Sequence, residues 1–227
     1  GLPPQDQIAA NGPGVLVLLR EDRPNDTVRW QEKMLADFVQ SFARFHGDVD
    51  AEFTGSRLQC GMLRLDFNGN KELRHVNCEQ NVDFRSGGEQ PWTLKAENAE
   101  AVFAPGSVLS QVIAKKEVRV RDGERTIDSQ LLKLFFDKKG DAEESSISRA
   151  VANRDVTVHY TGKTTLDAAG DDLEWDARTD KYRLSGKPAR IRTSSIAEEG
   201  ETFLIDRPTG HISVPRGTRP GTTHIEE

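Results

Sequence analysis

"TTLDAAGDDLEWDARTDKYRLSGKPARIR", residues 164–192, decides how the chain is to be read. Apolar and charged residues alternate through Leu166, Ala168, Leu173 and Trp175. The chain turns on "DARTD" and alternates again from Tyr182 through a glycine to Ile191. Alternation with a period of two places successive side chains on opposite faces and is the mark of a half-buried strand. Between Ala168 and Leu173 the parity slips by one residue, as it does where a bulge or corner breaks a strand and the inward face is then resumed.

The same template recurs. "LQCGMLRLDF" (Leu58 to Phe67), "LKAENAEAVF" (Leu94 to Phe103), "IDSQLLKLFF" (Ile127 to Phe136) and "LDAAGDDLEW" (Leu166 to Trp175) share it. Each begins with an aliphatic residue, has a small residue two later, and closes on Phe or Trp; Asp171 interrupts the last copy. The small residues Cys60, Ala96, Ser129 and Ala168 mark the corner. A second template lies between the copies: "VNCEQNVDF", "IAKKEVRV", "AVANRDVTVHY" and "LSGKPARI". It advances from Val82 to Val118 to Val156, a period of roughly 36 residues, and such a period means stacked supersecondary units.

The expected architecture is therefore all-β: a solenoid-like stack of short antiparallel strands that contribute to two facing sheets. The aromatic-ended segments are expected on one sheet and the V-x-V segments on the other. The inward positions of the first two copies are Leu63, Leu65, Phe67, Leu94 and Phe103. Those of the central units are Val118, Val120, Leu132, Leu134 and Phe136, and those of the last are Val156, Val158, Leu173 and Trp175. Two sheets lined this way enclose an apolar slot that can hold acyl chains where its edges stay open.

The N-terminal third carries two patterns. Trp30, Met34, Phe38 and Phe42 recur every four residues, which suits an amphipathic helix. "FHGDVDAEF" (Phe45 to Phe53) and "VRW" from Val28 instead repeat the strand templates, and strands are preferred. Turn-rich stretches such as "REDRPND", "RSGGEQP" and "DKKGDAEE" separate the units, and no linker divides the chain, which reads as one domain over 1–227.

Bulk properties exclude several classes. A net charge of −6 argues against a nucleic-acid partner, which would want a basic face. The longest apolar run, "VLVLL" from Val15, is too short to span a bilayer as a helix. The chain starts "GLPPQDQ", without a methionine or a basic-then-apolar leader, and so reads as a mature or trimmed segment; a missing signal is then no argument for the cytoplasm.

Catalytic and metal motifs are not found. "TGKTT" (Thr161 to Thr165) matches only the end of a phosphate loop, since the glycine required five residues before Gly162 is Thr157. His46, His75, His159, His211 and His224 are dispersed and read as surface histidines. Asp171 and Asp172, adjacent in a strand, point to opposite faces and cannot act as an acid/base pair. No enzyme activity and no cofactor is expected. Cys60 and Cys78 sit at the small-residue corners of consecutive templates, either as core fillers or as a disulfide between facing sheets in an oxidising compartment.

At "LEWDARTDKYRLSGKPARI" the chain resembles the OstA/LptA-like family of lipopolysaccharide-transport proteins, which includes LptA, LptC and the LptD N-terminal domain. Repeats of that family run as an apolar strand ending in an aromatic residue and Asp, a Thr-containing turn, and a strand ending x-G-x-V. Trp175, Asp176, Thr179, Tyr182, Leu184 and Gly186 fit that run, while Pro188 stands where Val is commoner. "FLIDRPTGHISV" repeats it with Asp206, Thr209 and Gly210, and "FHGDV" matches its second half. The resemblance implies a periplasmic β-jellyroll that holds the acyl chains of lipopolysaccharide between its sheets. It also implies partners of like fold joined end to end by strand pairing, and no catalytic residue. A structural β-solenoid of the cell envelope with a packed core is the alternative.

Overall fold

The computed structural model describes residues 6–18, 26–53, 55–87, 91–138, 145–162, 165–194, 196–215 and 222–224. These residues form sixteen strands and no helix. The chain divides into two compact units, residues 1–111 and 112–227.

In unit 1 the strands are β1 (Gln7–Asn11), β2 (Gly14–Leu18), β3 (Asp26–Trp30), β4 (Lys33–Asp37), β5 (Phe42–Phe53), β6 (Ser56–Phe67), β7 (Leu73–Arg85) and β8 (Trp92–Ala104). The ladder runs β1-β4-β5-β6-β7-β8, with β3 beside the second half of β5 and β2 beside β3. The next strand, β9 (Val108–Asp122), crosses the division. In unit 2 follow β10 (Arg125–Lys138), β11 (Ser145–Thr161), β12 (Thr165–Asp176), β13 (Lys181–Thr193), β14 (Ala197–Asp206), β15 (His211–Ser213) and β16 (Thr222–His224). Consecutive strands pair antiparallel from β10 to β15, and β16 also pairs with β14. The fold is an open antiparallel β-jellyroll.

Each long strand is interrupted near its middle by a shift of register. In β11 Arg154 and Asp155 oppose the single Asp171 of β12, between the pairs Asn153↔Asp172 and Val156↔Gly170. Two residues against one make a bulge, which bends the strand. The inserted residues take left-handed conformations: Gln80 and Asn81 in β7, Lys116 and Glu117 in β9, Arg154 and Asp155 in β11, and Gly47 with Asp48 in β5. Asp and Asn tolerate that region better than β-branched residues do.

The bend folds each strand into two layers. Leu166 and Trp175 stand nine residues apart in β12 and would be about 30 Å apart along a straight strand. Tyr160 pairs with both Leu166 and Arg125 in the ladder, yet the Arg125 guanidinium lies 4.1 Å from the Trp175 ring centroid. The two ends of β12 therefore face each other. Inward residues come from both halves: Leu166 and Ala168 with Leu173 and Trp175 in β12, Ala150 and Ala152 with Val156 and Val158 in β11. Outward positions carry cross-strand ion pairs such as Arg149–Glu174 and Arg190–Glu199, both 2.6 Å, each contributing about 0–1 kcal/mol at the surface.

One expectation is corrected. The two templates do not occupy separate sheets; they alternate as hydrogen-bonded neighbours, β12 between β11 and β13. It is the halves that separate. The aromatic-ended half of one template pairs with the first half of the other, Trp175 with Ala150, while Val158 pairs with Ala168. Alternation reports which face a residue occupies and is silent on which strand lies beside it.

Strands, and not a helix, occupy the region from Trp30 to Phe42. β3 and β4 act as the two halves of one bent strand, broken at Gln31 and Glu32, whose amides donate to the Gly47 and His46 carbonyls at 2.7 and 3.0 Å. Trp30 is buried before the corner, Met34 is half-buried after it, and Phe38 is exposed in a turn. A step across a corner mimics the helical spacing of four.

Candidate functional site: the apolar interior and its edge

In unit 1 Leu63, Leu65 and Leu94 are buried, while Phe67 and Phe103 are half-buried and pack against the core around Phe45, Val49 and Cys60. The Trp30 and Phe45 rings meet at 5.4 Å between centroids, joining the two halves of this core. In unit 2 Val118, Val120, Leu132, Leu134, Val156, Val158, Leu173 and Trp175 are buried, and Phe136 is half-buried. The fully buried positions are thus the aliphatic ones and Trp175, while the three strand-end phenylalanines are half-buried. Lys133 and Thr157, beside Leu134 and Val158, are half-buried and exposed.

The alternation also continues where the templates were less regular. Tyr182, Leu184, Ala189 and Ile191 of β13 and Phe203 and Ile205 of β14 are buried. Beneath Arg125 and Arg207, the interior lined by Val158, Leu166, Ala168, Leu173, Tyr182 and Ile205 leaves a cavity of about 10 Å³, room for one water at most. A wider recess of about 480 Å³ lies where Val158, Ala168 and Ile191 meet the polar side chains of His159, Asp167, Arg190 and Glu199.

A polar group closes the edge of unit 2 where the halves meet. Arg125 donates to the Tyr182 hydroxyl at 2.6 Å and to the Asp122 carboxylate at 2.5 Å; Arg207 donates to the Tyr160 hydroxyl at 2.9 Å. Burial opposes the charge on Arg125, but Tyr182 and Asp122 outweigh it and hold the guanidinium above its ordinary pKa. Burial raises the Tyr182 hydroxyl despite Arg125, and a hydrogen bond with Glu124 raises that of Tyr160. These residues come from four strands and two turns between 122 and 207, with no local pattern to announce them.

Cys60 and Cys78 are free and buried on the neighbouring strands β6 and β7, each just before its corner. Cys60 Sγ donates to the Met62 carbonyl at 3.2 Å. A hydrogen bond with Cys60, then burial, push the Cys78 thiol well above its ordinary pKa. Cys78 pairs with Leu63 beyond the β6 corner while Cys60 precedes that corner, so the two thiols bridge the bend. Among the described residues no three His, Cys, Asp or Glu side chains gather as a metal site. Lys163 and Thr164 of "TGKTT" lie outside the described residues.

No protein-family model and no curated protein matches the chain. Among solved structures it is similar to LptH of Pseudomonas aeruginosa, described as the LptA homologous periplasmic component of the conserved lipopolysaccharide transport device. The identity is 15% and the TM-score 0.48, over 61% of this chain and 96% of that one.

Proposed function

We propose that the chain is a periplasmic, non-enzymatic conduit for lipopolysaccharide or a related glycolipid. Acyl chains lie between the two halves of the bent strands, over Leu63, Leu65 and Leu94 in one unit and over Leu132, Leu134, Val156 and Val158 in the other. Residues 1–227 work as a single jellyroll that joins others of its kind end to end. The observation that carries this reading is the doubling-back of strand after strand in unit 2, which turns both halves' apolar faces to one interior. Acyl chains are the ligand such an interior suits, since every methylene moved out of water contributes about 0.8 kcal/mol.

The scaffold reading draws on a different observation. Leu132 and Leu134 are 1% and 2% exposed, and the cavity beside the mouth is only about 10 Å³. For lipid to enter, the halves must part. Incubating the folded protein with lipopolysaccharide and measuring the complex by native mass spectrometry separates the two. Stoichiometric binding, reduced at least tenfold by Val158→Asn in a variant that still melts cooperatively, supports the conduit. A folded protein that binds none supports the scaffold.

A further inference from the structure

At the edge of unit 2 where the halves meet, Asp180, in the β12–β13 turn, lies between two guanidinium groups. Arg125 Nη1 stands 3.5 Å from its Oδ1 and Arg207 Nη1 3.4 Å from its Oδ2. Trp175 Nε1 donates to Asp180 Oδ1 at 3.0 Å. Each arginine rests on an aromatic ring, Arg125 at 4.1 Å from the Trp175 centroid and Arg207 at 4.0 Å from that of Tyr160. Arg125 and Tyr160 pair with each other at the end of one layer; Trp175, Tyr182 and Arg207 close the other. The contacts of Arg125 with Asp180, Trp175 and Tyr182, and of Arg207 with Tyr160, therefore all cross from layer to layer. The small apolar cavity lies directly beneath them.

Two features of this cluster suit a phosphate better than the carboxylate it holds. Charge-assisted hydrogen bonds close to 2.7–2.9 Å, and Asp180 spans both arginines without reaching that distance to either. A phosphate brings more oxygens and a second negative charge, and guanidinium forks match its geometry. The arginines also sit above apolar walls of Val158, Leu166, Ala168 and Ile205, so a ligand held there by its phosphate has somewhere to put acyl chains.

We infer that Arg125 and Arg207 form a phosphate-recognition site whose internal occupant is Asp180. A phosphate on the head group of an acylated ligand displaces the Asp180 carboxylate from both arginines. Asp180 is thus a latch: its contact with Arg125, which crosses from layer to layer, is released, and the acyl chains meet the cavity beneath. The inference rests on the lipid-binding reading above and adds to it the class of head group and the point of entry.

The test compares three probes by titration calorimetry: bis-phosphorylated lipid A, the same lipid with its phosphates removed, and inorganic phosphate. The wild-type protein should bind the phosphorylated lipid at least about tenfold more tightly than the dephosphorylated one, the worth of one charge-assisted hydrogen bond. Asp180→Asn, which keeps an acceptor for Trp175, should tighten binding of the phosphorylated lipid further. Arg125→Gln with Arg207→Gln should erase the preference while binding of the dephosphorylated lipid persists. Should the double variant fail to melt cooperatively, Asp180→Asn decides alone: no gain in affinity overturns the latch. Equal binding of the two lipids by wild type leaves the conduit standing and overturns the latch. Binding of inorganic phosphate as tightly as the lipid overturns the lipid head group as the ligand. Binding of no lipid at all overturns the conduit, and the latch with it.

Discussion

Gly170 and Gly186 meet across β12 and β13 at the corner. A Cβ on Gly170 would lie 2.6 Å from the Ser185 carbonyl oxygen, and one on Gly186 2.9 Å from the Asp171 amide and 3.0 Å from the Gly170 Cα. These neighbours are backbone and cannot swing aside. Gly186→Ala should therefore cost about 1–3 kcal/mol, as overpacking does, and lower the melting temperature by several degrees; an unchanged melt would contradict the close approach. Asp171, which breaks the apolar template, accepts from the Lys187 amide at 3.2 Å. It serves the wide corner of the next strand, and so the sequence showed an irregularity there without its reason. For the cysteines, mild oxidation of the folded protein should close a Cys60–Cys78 bond, seen by mass spectrometry as the loss of two hydrogens. Two thiols still open to alkylation after denaturation would show that the corner holds them apart.

The turns between strands repeat one device. Asp176 Oδ1 accepts from the Arg178 and Thr179 amides at 2.9 and 3.1 Å, Asp206 Oδ1 from the Thr209 amide at 3.3 Å, and Asp37 Oδ1 from the Gln40 amide at 2.7 Å. This is why an aromatic or aliphatic strand end is followed by Asp: the carboxylate closes the turn on its own backbone. The bonds lower all three carboxylates' pKa values, through Thr179 above all for Asp176, the Lys181 ammonium for Asp206 and the Gln40 amide for Asp37. Depressed in the folded state, these groups add stability above the unfolded carboxylate pKa of about 4, and lose it as pH falls through their folded values. Melting temperature should hold from pH 7 to 5 and drop below about pH 4, and Asp176→Asn with Asp206→Asn should flatten that drop. A double variant as acid-sensitive as wild type would remove these turns from the account. At this scale the sequence was most legible, because alternation, a parity slip and a turn carboxylate are all local. What it could not show was strand adjacency, which long-range pairing decides, nor the Arg125–Asp180–Arg207 cluster, which exists only once β10, β12, β13 and the β14–β15 turn are stacked.

Across unit 2, the outer edge of β14 is covered in two pieces, β15 along Leu204–Asp206 and β16 along Ala197–Glu199. An uncovered edge is a template for another chain. Removing residues 215–227 bares the Ala197–Glu199 edge and should shift the sedimentation profile toward larger assemblies; an unaltered profile would contradict the role given to β16. Pro215, at the border of that segment, follows β15, while Pro220, also expected to blunt this end, lies outside the described residues. The central claim is that the shared face of the bent strands is a lipid path, and parity tests it most directly. A photo-crosslinking residue at Leu134 or Val158 should capture lipopolysaccharide, and one at Lys133 or Thr157 should not, because neighbours in a strand face opposite ways. Equal capture at both parities, or none at either in a folded protein, would contradict it.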